Sequence, residues 1–570
     1  MPISMPKSSD NSRLMAPTLR ESLFVATCLI LILTLNYLGM AAKTPTYDEP
    51  WHLKNGLRLL QGNAQRFHDS KMPVSALNAL PITLLAEVPG QDSRLDNFVL
   101  ELEGPPLRAA RLVTTLGSLL LGSIVFLWSR RLYGPRSAAL SLMVYTFSPN
   151  ILAHSRLATT DLFASLAVTA SLLTFQAFLN GGGTRRSFTA AATLGISQLA
   201  KYTCIFLYPL FIFLALLHHW GKTRERGRSF LADWDWRRLG GHAALFLFVS
   251  VLIIQAGFLF RGVGTPLSGY PLRSDFFQGI LQRIGPLSDL PLPLPYPYLE
   301  GLDWVKHHEE TGASYGPIYL WGERRRGEGF YSYFTVAVLF KVPIPLLILL
   351  GVGLIGFLRR PDPSWYRREL FLLLPSLLLF VYLSFFFKAQ IGLRFLLPAF
   401  PLLFVFLGRT WESWGHLGKK LRWAPVILLT LLCASSLSIH PHYLSYFNGL
   451  TRDPTRAHRI LVDSNLEWGQ NGLFVRNYLE SHPGARLDLG PDARISPVLR
   501  DFLEAHPASR LDPSRPTAGR ILVDANQLAG IGLRDDYAWL RENFQPTGHV
   551  AHGWLIFDVE EEDLLGLGLK

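Results

Sequence analysis

Residues 241–260 read GHAALFLFVSVLIIQAGFLF, a run without one formal charge. At about 1.5 Å per residue, a helix of that length matches the hydrocarbon core of a bilayer, roughly 30 Å thick. Runs of the same kind recur near 22–41, 109–129, 137–153, 159–179, 187–200, 202–218, 333–357, 369–387, 394–408 and 423–439. The sequence therefore predicts about 11 transmembrane helices within residues 1–440. Chain averages hide this pattern. Over 570 residues the hydrophobic fraction is 49%, an ordinary value, and only the 17% of charged residues is low. That composition excludes a disordered or collagen-like chain. Three cysteines, Cys28, Cys204 and Cys433, all fall inside apolar runs and read as small core residues, which excludes a disulfide framework. The first run is longer than a signal-peptide core, and Met40-Ala41-Ala42 is a poor cleavage site, so it reads as a retained helix.

The net charge is +12, and its distribution sets the expected topology. With the N-terminus inside, the cytoplasmic loops are 1–21, 130–136, 180–186, 219–240, 358–369 and 409–422. They hold 22 Lys and Arg against 8 Asp and Glu, a net of +14, which leaves −2 for everything else. The same rule divides 187–218 into two helices at Lys201. A single helix would carry the basic loop of Lys222, Arg224, Arg226, Arg228, Arg237 and Arg238 to the outside. Topology thus accounts for the basicity, and no nucleic-acid partner is implied.

Three long segments fall on the outer side: loops 42–108 and 261–332, and the tail 441–570. In the tail, Ile460-Leu461-Val462, Ile521-Leu522-Val523 and Trp554-Leu555-Ile556-Phe557 read as short strands. Residues 471–481, 496–505 and 533–543 have helical spacing. The expected architecture is an α-helical polytopic membrane domain, 1–440, followed by a small soluble α/β domain, 441–570.

Charges within or beside apolar runs are costly and mark function by default. Six cations lie there, Arg111, Arg156, Lys201, Lys341, Lys388 and Arg394, with one acid, Asp161. Snorkelling to the headgroups is the alternative for any one of them. Together they point to an anionic partner, such as a phosphate or pyrophosphate. Beyond the first run, Thr46-Tyr47-Asp48-Glu49-Pro50-Trp51-His52 places two carboxylates at the outer mouth of the membrane. Helix capping is one reading of them. Removal of a proton from an acceptor while a phosphate leaves is the other. His154 to Asp161 sets Arg156 and Asp161 five residues apart, as a cap, a pair or part of a site. Asp463, Asn465 and Trp468 read as a strand-end turn and domain packing, with acceptor binding as the alternative.

This ordered set resembles the GT-C membrane glycosyltransferases, specifically the protein O-mannosyltransferase-like and lipid A aminoarabinose transferase-like group. The matching pieces are Asp48-Glu49, Lys71-Met72-Pro73, Arg156 to Asp161 and Leu199-Ala200-Lys201-Tyr202-Thr203. Tyr319 to Glu323, Phe340-Lys341-Val342-Pro343, Ile391 to Pro398, Ser445-Tyr446-Phe447-Asn448 and Asp463 to Gln470 continue the series. The resemblance spans nearly the whole chain. It implies a GT-C-like fold and a sugar donor carried on polyprenyl phosphate, used at the outer face of a bacterial inner membrane. The acceptor would be a lipid, glycan or protein. Asp48 would be the catalytic base, with Glu49 supporting it or binding the acceptor. Lys71 and Arg394 would hold the carrier phosphate, with Lys201 and Lys341 beside them; Arg156 would join the substrate site, and Asp161 would orient that site or a metal. Met72 departs from the family's usual pair of prolines after the lysine. Some relatives bind a divalent metal. His52, His68, His154, His307 and His308 have no metal-site spacing, so no metal is assigned.

The chemistry agrees with such an enzyme. A glycosyl phosphate carries its own leaving group, so one base and several cations suffice. A single displacement inverts the anomeric centre. A flippase for lipid-linked sugars would distribute charge through the membrane and show internal symmetry, and neither is present. A non-catalytic membrane scaffold with a C-terminal binding module is the remaining alternative.

Overall fold

The structure, a computed structural model, describes residues 17–62, 71–231, 235–312, 316–414, 423–490, 496–532 and 534–568. Among these, five helices are long and apolar enough to cross a membrane: Leu19–Ala41, Gly104–Tyr133, Asp161–Gly181, Tyr202–Glu225 and Trp236–Gly257. Ser75–Leu85, Leu370–Phe385, Ala399–Trp411 and Ala424–Ser438 are shorter apolar helices. Leu247, Phe248 and Leu252 on the helix Trp236–Gly257 and Ile212 and Phe213 on its neighbour face outward. Lipid accepts such surfaces, which water penalises.

Most of the predicted runs are helical, and the breaks have local causes. Residues 137–153 form two helices, Pro135–Thr146 and Pro149–His154, because Pro149 cannot continue the first. The helix Thr184–Ser197 ends before Lys201, whose extended backbone separates it from the next helix at Tyr202. The largest departure is 333–357, expected as one span. It is two helices, Tyr333–Lys341 and Ile344–Arg359, bent by 115°. Pro343 lacks an N–H and disfavours helical geometry at Val342, so the ladder fails there.

A bend buried this deeply strands carbonyls that water cannot reach. Two asparagines take them up. The Asn448 side chain donates from Nδ2 to the carbonyls of Leu339 and Val342, at 2.6 and 2.7 Å, and its backbone N–H donates to Phe340 at 2.8 Å. Asn150 Nδ2 donates to the carbonyl of Lys341 at 2.8 Å. Four successive carbonyls, 339 to 342, are thereby satisfied.

The tail begins inside the membrane part. Ile460-Leu461-Val462 is not a strand: Ile460 and Leu461 are buried in the main apolar core with Phe340 and Leu393. Tertiary burial, not pleating, explains that apolar triplet. The four-stranded sheet lies later. Its order is Ala485–Leu487, Gly519–Asp524, Trp554–Val559, Gly548–Val550, with a parallel first pair and antiparallel others. Leu522 and Ile556 pack with Val475 and Leu499 on one face, and Ile521, Val523 and Phe557 pack with Leu540 on the other. Both faces are covered, which is why the strands read as unbroken apolar runs.

Replacing Asn448 with alanine leaves two buried carbonyls without donors, at about 1–3 kcal/mol each. The expected outcome is a clear fall in the melting temperature of purified Asn448→Ala protein. An unchanged melting temperature would show that the bend is stable without this cap.

Candidate active site

The loop after the helix Leu19–Ala41 is fixed by one buried ion pair. Arg111, on the helix Gly104–Tyr133, donates from Nε and Nη2 to the Glu49 carboxylate at 2.8 and 2.7 Å. Its remaining N–H groups reach the carbonyls of Lys43 and Thr44. Glu49 also accepts from the backbone N–H groups of Ala158 and Thr46, both at 2.8 Å. Both side chains are fully buried. With these bonds Glu49 is committed to structure and does not reach the cavity where Asp48 stands. Glu49, expected to support the base or bind the acceptor, is thus placed outside the cavity lining.

Asp48 takes the other direction. It precedes the helix Glu49–Leu60 but makes no capping hydrogen bond with its side chain, which sets capping aside. Its Oδ2 accepts from Arg394 Nη1 at 2.8 Å. Arg394 lies in a short 3₁₀ turn, Leu393–Leu396, and its guanidinium stacks 4.1 Å from the Trp468 ring centre. Asp161 opens the helix Asp161–Gly181, ion-pairs with Lys201 and lies 3.9 Å from Arg394. Lys71 faces the same space and forms no ion pair among the described residues. Burial pushes the Asp48 carboxyl up, but the cations Arg394 and Lys71 and the neighbouring His52 hold it well below the usual carboxylate range.

These side chains line one cavity of about 740 Å³. Asp48, Lys71, Asp161, Lys201 and Arg394 stand on its membrane side. Each comes from the end of an apolar helix or from the loop beside one. The opposite wall comes from the tail: Asp463, Glu467, Trp468, Asp524, Asn526, Gln527 and Trp554. The sequence reading set packing ahead of acceptor binding for Asp463 and Trp468 and did not single out Asp524, Asn526, Gln527 or Trp554 for a site. Asn465 is structural, taking the Leu393 N–H and donating to the Tyr333 hydroxyl.

Two expected phosphate ligands lie elsewhere. Lys341 Nζ donates to the carbonyls of Leu444 and Asn465, so its charge ties the kinked helix to the tail. Arg156 donates to the carbonyl of Pro441 and stacks on Tyr443, away from the cavity. Sequence showed their cost in the membrane but not their carbonyl partners. The six cations are also less isolated than their spacing suggested, since Arg111, Lys201 and Arg394 each have a carboxylate. Among the described residues no group of three His, Cys, Asp or Glu is placed to hold a metal. His68 lies outside them.

Residues 95–254 match the family model of dolichyl-phosphate-mannose-protein mannosyltransferases. This segment is mannosyltransferase-like. It includes Arg111, Arg156, Asp161 and Lys201. Two solved structures are similar over most of the chain. ArnT from Cupriavidus metallidurans, bound to undecaprenyl phosphate, is 12% identical, with 95% of this chain and 98% of that one covered and a TM-score of 0.46. The archaeal oligosaccharyltransferase AglB from Archaeoglobus fulgidus, with an inhibitory peptide and a dolichol-phosphate, is 13% identical. There 86% of this chain spans 64% of that one, with a TM-score of 0.46. No curated protein matches by sequence.

Two outcomes check the electrostatics. Glu49→Gln breaks a dry ion pair and should cost roughly 3–5 kcal/mol of stability, whereas Asp48→Asn, at a partly exposed pair, should lower the melting temperature by less. Burial raises the Asp463 carboxyl to about 6. A carboxyl raised on folding favours the fold below its ordinary value and loses that contribution as pH climbs through 6. Asp463→Asn, uncharged throughout, should therefore gain melting temperature over the parent between about pH 5 and pH 7. A constant difference across that range would contradict the buried carboxyl.

Proposed function

We propose that the protein is an inverting GT-C glycosyltransferase that moves a sugar from a polyprenyl-phosphate carrier to an acceptor. The observation that carries this reading is the Asp48–Arg394 pair in a cavity shared with Lys71, Lys201 and Asp161. One acid is placed to take a proton, and three cations are placed to take a phosphate. The mannosyltransferase-like segment supports the same class of donor.

The geometry supplies an order of events. Without donor, Arg394 neutralises Asp48 and makes it a weak base. The carrier phosphate competes for that guanidinium, together with Lys71 and Lys201. As Arg394 turns to the phosphate, the Asp48 carboxylate loses its closest cation and its proton affinity rises. The acceptor's nucleophilic atom then bonds to the anomeric carbon, and the bond from that carbon to the phosphate oxygen breaks. Its electron pair stays on the carrier phosphate, stabilised by the cations, and the acceptor proton passes to Asp48. Attack opposite the leaving group inverts the anomeric centre.

The protein is an integral membrane protein. The basic excess on alternate loops supports a cytoplasmic N-terminus, with the cavity and the tail 441–570 on the outer side of a bacterial inner membrane. The acceptor is a lipid, glycan or protein on that side.

Full-length protein in lipid nanodiscs tests the reading. Asp48→Asn should lower transfer from an undecaprenyl-phosphate-linked sugar by about 10²- to 10⁴-fold. It should bind undecaprenyl phosphate at least as tightly as the parent, because Arg394 is no longer paired. Arg394→Gln should weaken that binding by about tenfold or more. Full transfer by Asp48→Asn would remove Asp48 as the base.

A further inference from the structure

The cavity has two chemically different walls. On the membrane side, the acids are paired: Asp48 with Arg394, and Asp161 with Lys201. On the tail side, Asp463, Glu467 and Asp524 form no ion pair among the described residues, although all three line the cavity. Arg394 stands between the walls, bonded to Asp48 and stacked on Trp468. It is nine-tenths buried, and its Nε has no hydrogen-bond partner within the protein. A buried donor left over at the border of the cavity calls for a ligand acceptor there.

The tail wall is held by bonds that use both Glu467 oxygens, which accept from the Gly469 N–H and Asn471 Nδ2, and only one oxygen each of Asp463 and Asp524. Asp463 has φ 60°, a left-handed conformation that is uncommon outside glycine. Its N–H donates to Asn526 Oδ1 at 2.6 Å, and its carbonyl takes the N–H groups of Leu466 and Glu467. Asp524 caps a short helix with Oδ1, which accepts from the N–H groups of Asn526 and Gln527 at 2.7 and 3.3 Å, leaving Oδ2 free for the cavity. Asn526 Nδ2 reaches the carbonyl of Glu467 at 2.9 Å and locks the two segments together. Carboxyl groups without an ion pair, beside carboxamides and two indoles, suit a partner that presents several hydrogen-bond donors and an apolar face. The same wall offers a phosphate no cation of its own.

We propose that the Asp463–Asp524 wall is the acceptor subsite and that it takes a polyhydroxylated sugar unit, holding its hydroxyls opposite Asp48. The inference rests on the reading of the membrane side as the donor site. Burial raises the Asp463 carboxyl to about 6, and burial together with the neighbouring Glu467 raises that of Asp524, so both gain from a ligand that hydrogen-bonds them. The tail is thereby a working part of the active site.

The test uses full-length variants in nanodiscs and in cells. Asp463→Asn and Asp524→Asn keep the local hydrogen bonds, since asparagine also caps helices well. In cells lacking the parent gene, mass spectrometry of glycolipids and glycoproteins reads product at equal protein abundance. Undecaprenyl phosphate is the probe for donor-site binding in nanodiscs. Each variant should lower product at least tenfold while its affinity for undecaprenyl phosphate stays within twofold of the parent. Parent-level product in both variants overturns the inference, and so does a matching loss of carrier affinity, which would make the wall part of the donor site. A parent that fails to bind undecaprenyl phosphate would instead overturn the donor reading beneath it.

Discussion

The Arg111–Glu49 pair is the constraint on which the site depends. A guanidinium and a carboxylate without water are tolerable only when every remaining donor and acceptor is used. Here they are used, and each bond has a second effect. The carbonyls of Lys43 and Thr44 on the arginine hold the turn after the first apolar helix. The N–H of Ala158 on the glutamate ties that turn to the segment leading into Asp161. Three stretches distant in sequence are therefore fixed against one another by a single pair. Asp48 is aimed because its neighbour is anchored.

That division of labour explains why adjacent acids in the sequence were only half legible. Side chains at successive positions at a helix start point in different directions, so Asp48 and Glu49 could not share one task. The pattern marked the pair as costly in this place. It did not say which acid was the anchor, because Arg111 lies more than sixty residues away. Lys341 and Arg156 show the same gap. Their cost in an apolar run was plain, but their carbonyl partners come from the tail, and a one-dimensional pattern does not contain them.

Helix type was readable because apolar run length is a local signal. The bend at Val342-Pro343 was also local, and Pro343 announced it, yet the run on either side was apolar enough to look continuous. In the tail, Ile460-Leu461-Val462 had the composition of a strand and the surroundings of a membrane core. The tail wall of the cavity was only partly legible for a related reason. Asp463, Trp468 and Asp524 lie on loops and strand ends, and folding alone brings them opposite Arg394.

The asparagine cap on the kinked helix also carries a timetable. Asn448 lies 106 residues beyond the Val342 carbonyl that it serves. At a synthesis rate of about 5–20 residues per second, the bend waits roughly 5–20 s for that partner. Until then the carbonyls of Leu339, Phe340 and Val342 lack these donors in an apolar setting. The kinked helix is therefore completed late, after the last apolar helix, Ala424–Ser438, has been made. Assembly of the membrane part and arrival of the tail are one event in the life of the chain.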